Sequence, residues 1–368
     1  MKISIITGAF MPIPPYSIGA VEKLWYELGK EFEKNNDVCF ISKRCSVQQK
    51  NNNKFIYIKG YNAKKNKIYN LVLDFIYSYR ALRYAPQSDI VILNSILSPV
   101  LYPLFRKKLK YAIYNIARIP KKQLFLYRNV DILSCVSSAV YNIAMKQTPS
   151  LKGKYYIVNN PINTDVFNMD KEKSCNIIPT VIYTGRINKE KGLDILVKAV
   201  NILNEDGVKV NLNLIGATAI AKGGSGPDYV KYLNDLAVYF KIKWVDPIYS
   251  PVDLANAIRQ GDIFCYPSVA EAGETFGVSP LEAMGLGLPT IVSDLDCFKD
   301  FIKDNQTGLV FNHRQKSPEK ELSQLIYKII NSKDLYHKLS INGYKISRKF
   351  SNENIAKQYL DIFKKLTI

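Results

Sequence analysis

Histidine is almost missing from this chain: His313 and His337 are the only two in 368 residues. The six cysteines are scattered, and none forms a C-x-x-C pair. These shortages leave no set of ligands spaced for a zinc site. Thiols placed like this read as reduced and buried, in a cytosolic protein. No apolar run approaches the roughly 18–20 residues that a membrane-crossing helix needs. The longest, near Leu97 to Phe105, is interrupted by prolines. The opening MKISIITGAF holds too short an apolar stretch for a secretory leader and reads as the first strand of a sheet. Two glycine signatures are also absent. The first strand runs into Thr7-Gly8-Ala9-Phe10-Met11-Pro12 rather than G-x-G-x-x-G, which argues against a dinucleotide oxidoreductase. Gly223-Gly224-Ser225-Gly226-Pro227 lacks the G-K-[ST] ending of a phosphate loop and reads as a flexible loop.

Acidic residues are scarce in the first half. Residues 1–160 carry 25 Lys and Arg against 8 Asp and Glu, so they hold +17 of the chain's net +19. Such asymmetry points to an anionic partner: nucleic acid, a membrane surface or a phosphorylated substrate. The basic runs are Lys64-Lys65-Asn66-Lys67, Arg106 to Lys110, and Lys121-Lys122. Each run by itself reads equally well as solvated surface. A non-enzymatic nucleic-acid binder would account for the charge. However, there is no helix-turn-helix, zinc-finger or RNA-recognition signature, and nucleic acid is not the expected partner.

What is present is a regular alternation. The length allows two cores, and 47% hydrophobic with 23% charged residues describes a folded globular chain. Lys2 to Thr7 reads as a strand, and Ala20 to Lys34 as a helix with Val21, Leu24, Leu28 and Phe32 in step. Short strands follow at 38–42, 55–58, 90–93, 110–114 and 132–136, and a helical stripe runs from Ile68 to Tyr84. That stripe suits a core helix or a surface that assists membrane contact. A polar, turn-rich stretch from Asn159 to Pro179 marks a boundary. The alternation restarts with strands at 180–184, 211–215, 243–245, 263–266 and 290–293. Helices at 193–203, 229–240, 251–259 and 280–285 lie between them. This is an α/β pattern: two tandem Rossmann-like doubly wound domains, residues 1–160 and 161–351. A final helix, 352–368, places Ile355, Tyr359, Ile362 and Phe363 on one face and needs a surface to cover it.

Two segments stand at strand ends, where ligands of open α/β sheets bind. Gly185-Arg186-Ile-Asn-Lys-Glu190-Lys191-Gly192 lies between a strand and a helix. Arg offers a planar fork to phosphate oxygens and Lys a mobile point charge. Taken alone, the stretch reads first as a solvated, Lys-rich turn. The other segment runs from Ala270 to Asp294 and gathers Glu271, Glu274 and Glu282 beside glycines. Carboxylates there can accept hydrogen bonds from sugar or ribose hydroxyls, and N–H groups near Gly277 and Val278 can meet a phosphate. Ser279-Pro280-Leu281-Glu282 also fits a capping box, which would explain Glu282 structurally.

Together these segments resemble the retaining glycosyltransferases of the GT-B fold, glycosyltransferase family four. That family's Glu, seven residues, Glu pattern is met by Glu274 and Glu282. Its E-x-F-G form appears as Glu274-Thr-Phe276-Gly277, and its G-R-L-x-x-E-K-G form as Gly185 to Gly192. Its E-A-M/A-x-G-x-P run appears as Glu282-Ala-Met284-Gly-Leu-Gly287-Leu-Pro289. Looser matches are Asn159-Asn160-Pro161-Ile162-Asn163 with Phe167, Leu214-Ile-Gly216 and Thr307-Gly308-Leu309. The likeness is specific in the second half and loose in the first.

The resemblance implies a cleft between two domains, the first taking the acceptor and the second a nucleotide-diphosphate sugar. Arg186 and Lys191 would hold the diphosphate, Glu282 the ribose, and Glu274 the donor-sugar hydroxyls. Main-chain N–H groups of Phe276, Gly277 and Val278 would approach sugar or phosphate, with Gly216 also on the donor side. Gly19-Ala20 would be the first-domain glycine loop facing the diphosphate, where the family usually has Gly-Gly. Asn115 and Glu22 are the expected contacts on the sugar or acceptor side. The family's His-Asn pair reads Tyr114-Asn115 here, and Asp296-Cys297 replaces a Gly-Gly. The last helix would return to the first domain. Transfer would proceed on one face with retention, without a protein nucleophile, metal or cofactor. The acceptor would be a glycan or lipid-linked hydroxyl, met at an anionic membrane surface by a cytoplasmic, peripherally bound enzyme.

Overall fold

The computed structural model describes residues 1–14, 19–45, 50–169 and 175–367. Part of the turn-rich boundary stretch, residues 170–174, lies outside them. The chain divides into two compact units, Met1–Pro161 with Asn352–Ile368, and Ile162–Ser351.

The first unit runs β1 (Lys2–Ile6), α1 (Ala20–Glu33), β2 (Asp37–Lys43), β3 (Phe55–Ile58), α2 (Lys67–Tyr84), β4 (Ser88–Leu93) and α3 (Ser98–Leu101). It continues through β5 (Leu109–Ile116), β6 (Ile132–Cys135), α4 (Ser138–Gln147) and β7 (Tyr155–Ile157). Its seven strands are all parallel, in the order β3-β2-β1-β4-β5-β6-β7.

The second unit runs β8 (Thr180–Thr184), α5 (Leu193–Glu205), β9 (Asn211–Ile215), α6 (Pro227–Leu236), β10 (Ile242–Val245) and α7 (Pro251–Ile258). Then come β11 (Ile263–Tyr266), α8 (Val278–Gly285), β12 (Thr290–Ser293), β13 (Leu309–Phe311), α9 (Pro318–Ile330) and α10 (Lys333–Ser347). Its sheet is parallel too, ordered β10-β9-β8-β11-β12-β13. Both sheets are doubly wound. Each strand order reverses direction at one place, between β1 and β4 in the first unit and between β8 and β11 in the second. The central strands are covered on both faces, and all five residues of β8 are buried.

The final helix, α11 (Asn352–Thr367), belongs to the first unit. It packs on α1 through rings: Trp25 to Tyr359 at 5.1 Å and Phe32 to Phe363 at 5.6 Å between centroids.

The structure adds helices α4, α9 and α10 and strands β7 and β13, which the sequence expectation does not name, and it moves the bounds of two helices. Helix α6 stops at Leu236, because the Asn201 side chain takes the N–H groups of Val238 (3.1 Å) and Tyr239 (3.4 Å). Helix α8 starts at Val278, two residues before Pro280, because Gly277 turns into it with φ +96°. Ser279 is therefore inside the helix and is not its N-cap. The capping-box account of Glu282 falls with it.

Candidate donor site

Where the strand order of a parallel sheet reverses, the loops beyond the two diverging strands part and leave a crevice. In the second unit those strands are β8 and β11. The loop after β8 is Gly185–Gly192, and the loop after β11 is Pro267–Gly277. The two segments singled out by sequence, over 70 residues apart in the chain, are brought together here.

The first loop is built to turn. Asn188 accepts the N–H of Glu190 at 3.1 Å and caps a single 3-10 turn, Lys189–Lys191. Gly192 then takes φ +63° and starts α5. A Cβ at Gly192 would lie 2.2 Å from the Pro267 carbonyl oxygen, so the close approach of the two loops requires glycine. The loops are stitched by Val269 N–H to the Glu190 carbonyl at 3.0 Å. Gly223–Gly226 is not loose. Asn188 donates to the Gly223 carbonyl at 3.0 Å, and the Lys189 N–H reaches Ser225 Oγ at 3.1 Å.

This geometry separates the three cations. Lys189 is exposed. Arg186 is half exposed and pairs with Glu190 at 3.1 Å. Lys191 is buried, and its Nζ pairs with Glu274 Oε1 from the second loop. The same carboxylate oxygen lies 3.1 Å from the Tyr266 hydroxyl and 3.2 Å from Ser268 Oγ. Burial, and then the Glu274 charge, push the Tyr266 hydroxyl well above its ordinary pKa, so it stays a donor. Tyr183 stacks on Tyr266 at 5.4 Å, and its hydroxyl donates to the Arg186 carbonyl at 2.9 Å. Lys191 and Glu274 are thus held by aromatic walls and hydroxyl donors, while Arg186 keeps freedom to reach outward.

Phe276 is buried against Phe301 and Phe350, at 5.3 and 5.7 Å, so only its backbone could face a ligand. Val278 opens α8, and the first N–H groups of a helix have no partner within it. Glu282 is buried on the same helix. Gly216 follows β9 and lines a cavity of about 570 Å³ with Thr218, Ala219, Trp244, Val245 and Asp246. A larger cavity of about 890 Å³ lies in the first unit, against β3 and α2, and includes none of the candidate residues.

In the first unit, Gly19 precedes α1, Ala20 opens it and Glu22 sits in its first turn. The Glu22 carboxylate lies against Gly19 and Gly8, and burial raises its pKa from the usual carboxylate value. Asn115 is buried in β5. Its amide reaches the Tyr359 hydroxyl of α11 at 3.3 Å and Ser134 Oγ at 3.4 Å. The structure therefore gives Asn115 a place in the packing of α11 on the sheet.

Residues 169–346 match the family model described as glycosyl transferases group 1. The matched stretch, 178 of the 368 residues, lies within the second unit. Among related proteins, a capsular polysaccharide biosynthesis glycosyltransferase of Staphylococcus aureus is 28% identical over 174 residues, 47% of this chain and 42% of that one. A phosphatidyl-myo-inositol mannosyltransferase of Mycobacterium leprae is 27% identical over 134 residues, 35% and 32% of the two chains. These matches span less than half of either relative's length. Among solved structures, a sucrose-phosphate synthase from Thermosynechococcus elongatus superposes with a TM-score of 0.81 over 100% of this chain and 99% of that one, at 16% identity. The Anabaena protein HepE, solved with UDP and glucose, superposes at 0.73 over 99% of both chains, at 14% identity. The fold is GT-B.

Sequence reasoning missed one cluster in the second unit. The His313 side chain is buried, with Nδ1 on Asp294 Oδ1 and Nε2 3.1 Å from Glu271 Oε1. Arg314 reaches both carboxylates, at 2.5 Å to Asp294 and 2.7 Å to Glu271. The Arg314 guanidinium holds the Glu271 carboxyl below its usual range. The cluster ties the loop after β11 to the segments after β12 and β13. Nothing in the spacing of these residues announced it. Among the described residues, no group of three His, Cys, Asp or Glu side chains could hold a metal ion.

Proposed function

We propose that this chain is a retaining glycosyltransferase. It moves a hexose-type sugar from a nucleotide-diphosphate donor to a hydroxyl of a glycan or lipid-linked acceptor, in bacterial cell-surface polysaccharide synthesis. The observation that carries the reading is the meeting of Arg186, Lys191 and Glu274 where the order of the second sheet reverses. Two cations and a carboxylate on rigid strand ends suit a diphosphate with a sugar attached. The capsular polysaccharide relative and the UDP-and-glucose-bound neighbour support the same direction.

In this reading Arg186 and Lys191 hold the diphosphate, and Glu274 accepts from sugar hydroxyls. Glu282 binds the ribose, the backbone of Phe276 to Val278 approaches phosphate or sugar, and the cavity beside Gly216 takes the base. Gly19 and Ala20 stand as first-unit contacts to the diphosphate, and Glu22 as a contact on the acceptor side. The bond from the sugar's C1 to the diphosphate oxygen breaks, and the acceptor oxygen bonds to C1 on the same face. The acceptor's proton passes to the departing diphosphate. No metal ion, cofactor or protein nucleophile takes part. The basic first unit faces an anionic membrane from the cytoplasmic side.

Ligand-observed NMR against UDP-, GDP-, ADP- and dTDP-sugars tests this reading. One nucleotide class should bind well above the others, and Arg186→Ala should weaken it. Binding of none of them would overturn the proposal.

A further inference from the structure

Helix α2 is apolar on two sides, and only one side is covered. Leu73, Tyr77 and Ala81 are buried against the first unit. Ile68, Val72, Phe75 and Tyr79 recur at helical spacing on another face and stay 41–75% exposed. The sequence stripe thus splits into a core face and a bare one. The bare face continues beyond the helix. The Tyr79 ring meets Phe105 at 5.7 Å, and α2 packs against both α3 and the 3-10 turn Tyr102–Phe105. In that turn Leu104 is 72% exposed. A second 3-10 turn, Gln123–Tyr127, packs beside α3, and its Phe125 is 60% exposed. Contiguous apolar exposure on this scale marks an interaction surface.

Charge decides what kind. Residues 38–130, which build this surface, contain 18 Lys and Arg and two acids. Of those acids, Asp74 is buried, and Asp89 is engaged by the Lys2 N–H and by Lys110. Exposed lysines border each apolar element: Lys64, Lys65 and Lys67 at the start of α2, Lys107 after the first turn, Lys121 and Lys122 before the second. Apolar and aromatic side chains ringed by cations, with no exposed carboxylate among them, match a bilayer interface with anionic headgroups. A protein partner would have to offer a broad anionic rim around an apolar centre. Duplex DNA would leave the apolar side chains without a role.

We infer that the face formed by α2, the turn Tyr102–Phe105 and the turn Gln123–Tyr127 docks on an anionic lipid surface, with Ile68, Phe75, Leu104 and Phe125 entering the headgroup boundary. The inference deepens the membrane-facing reading of the first unit and rests on it for its biological setting. The surface itself can be tested without donor or acceptor. No helix among the described residues is long and apolar enough to cross a membrane, so the contact is peripheral.

The full chain is sedimented with vesicles of phosphatidylcholine alone, and of phosphatidylcholine mixed with phosphatidylglycerol. Binding is expected to the mixed vesicles only. Lys121→Ser with Lys122→Ser should weaken it roughly tenfold or more at low salt. Leu104→Ser with Phe125→Ser should weaken it by a similar factor and remove the part that survives high salt. Phe125→Trp should give a blue-shifted emission on mixed vesicles. Circular dichroism and nucleotide binding should be unchanged in all of these variants. Equal binding to both vesicle types, or serine variants that bind as well as the parent, would overturn the proposal. So would a dimer that the apolar variants dissociate without loss of vesicle binding, or tighter binding to duplex DNA lost through the same substitutions. Arg186→Ala is the control: it should leave vesicle binding intact, so failure of docking and failure of the donor-site reading are told apart.

Discussion

Lys191 and Glu274, 83 residues apart in the chain, form an ion pair whose side chains are 5% and 9% exposed. One comes from the loop after β8 and the other from the loop after β11. The pair is therefore a clasp across the reversal point of the second sheet. Removing one partner leaves the other charge buried, which costs on the order of 3–5 kcal/mol. Lys191→Ala and Glu274→Ala should each destabilise the second unit by about 3 kcal/mol. The double variant should lose less than the sum, by a coupling of roughly 0.5–3 kcal/mol. Urea unfolding of the four proteins measures this. Strict additivity would mean that the contact does not clasp the loops.

Arg186 differs from Lys191 in exposure, and so in what its loss does. Its pair with Glu190 is half in water, and exposed pairs add little to stability. Arg186→Ala should leave the unfolding midpoint nearly unmoved. It should weaken nucleoside diphosphate binding by about one to two orders of magnitude, the scale of a lost charge-assisted hydrogen bond. Calorimetry with the free nucleoside diphosphate reads this directly. Unchanged affinity would remove Arg186 from the site.

Much of this was legible in the chain. The βα alternation follows from short apolar runs and 3.6-residue stripes, and strands 55–58, 180–184, 211–215 and 263–266 fall where the residues place them. What the pattern could not show was commitment. Arg186 and Lys191 look alike in sequence, and only burial separates the outward cation from the clasped one. Helix α4 was passed over despite its Ser137 cap, because its buried residues are only Val140 and Ala144. The stripe of α2 left a core face and a bare face as alternatives, because a stripe shows which residues are apolar and not which of them are covered. His313 and Glu271, 42 residues apart, meet only through the order of β11, β12 and β13.

Glu274→Gln keeps the shape of the side chain and removes its charge. Oε1 can still accept from Tyr266, Ser268 and Lys191, so the loop should keep its geometry, at a cost in stability because the buried Lys191 charge is no longer neutralised. If Glu274 engages the donor sugar, turnover of the nucleotide sugar identified by screening should fall at least tenfold, while nucleoside diphosphate affinity stays close to that of the parent. The split between kcat and nucleotide affinity is the readout. Full turnover in Glu274→Gln would exclude Glu274 from the reaction.

The first unit carries a pH signature of its own. Asp74 on α2 is 4% exposed, and burial pushes its pKa from 3.8 up to about 6, against the lowering effect of backbone N–H groups at Leu97 and Ile96. The Leu97 N–H donates to Asp74 Oδ2 at 2.9 Å. A carboxyl whose pKa is raised by folding holds its proton more tightly in the folded state than in the unfolded chain. Its contribution to stability is complete below about pH 4 and is lost as pH rises to about 6. By linkage, the loss is on the order of 2–3 kcal/mol. Asp74→Asn keeps a neutral acceptor for Leu97 and has nothing to titrate. Comparing the parent with Asp74→Asn between pH 4 and pH 7 by urea unfolding isolates this one group from the other carboxylates. The parent should lose stability relative to the variant across that interval, and the difference should level off above about pH 6. A constant difference between the two proteins across the interval would show that Asp74 ionises in the folded state as it does in the unfolded chain.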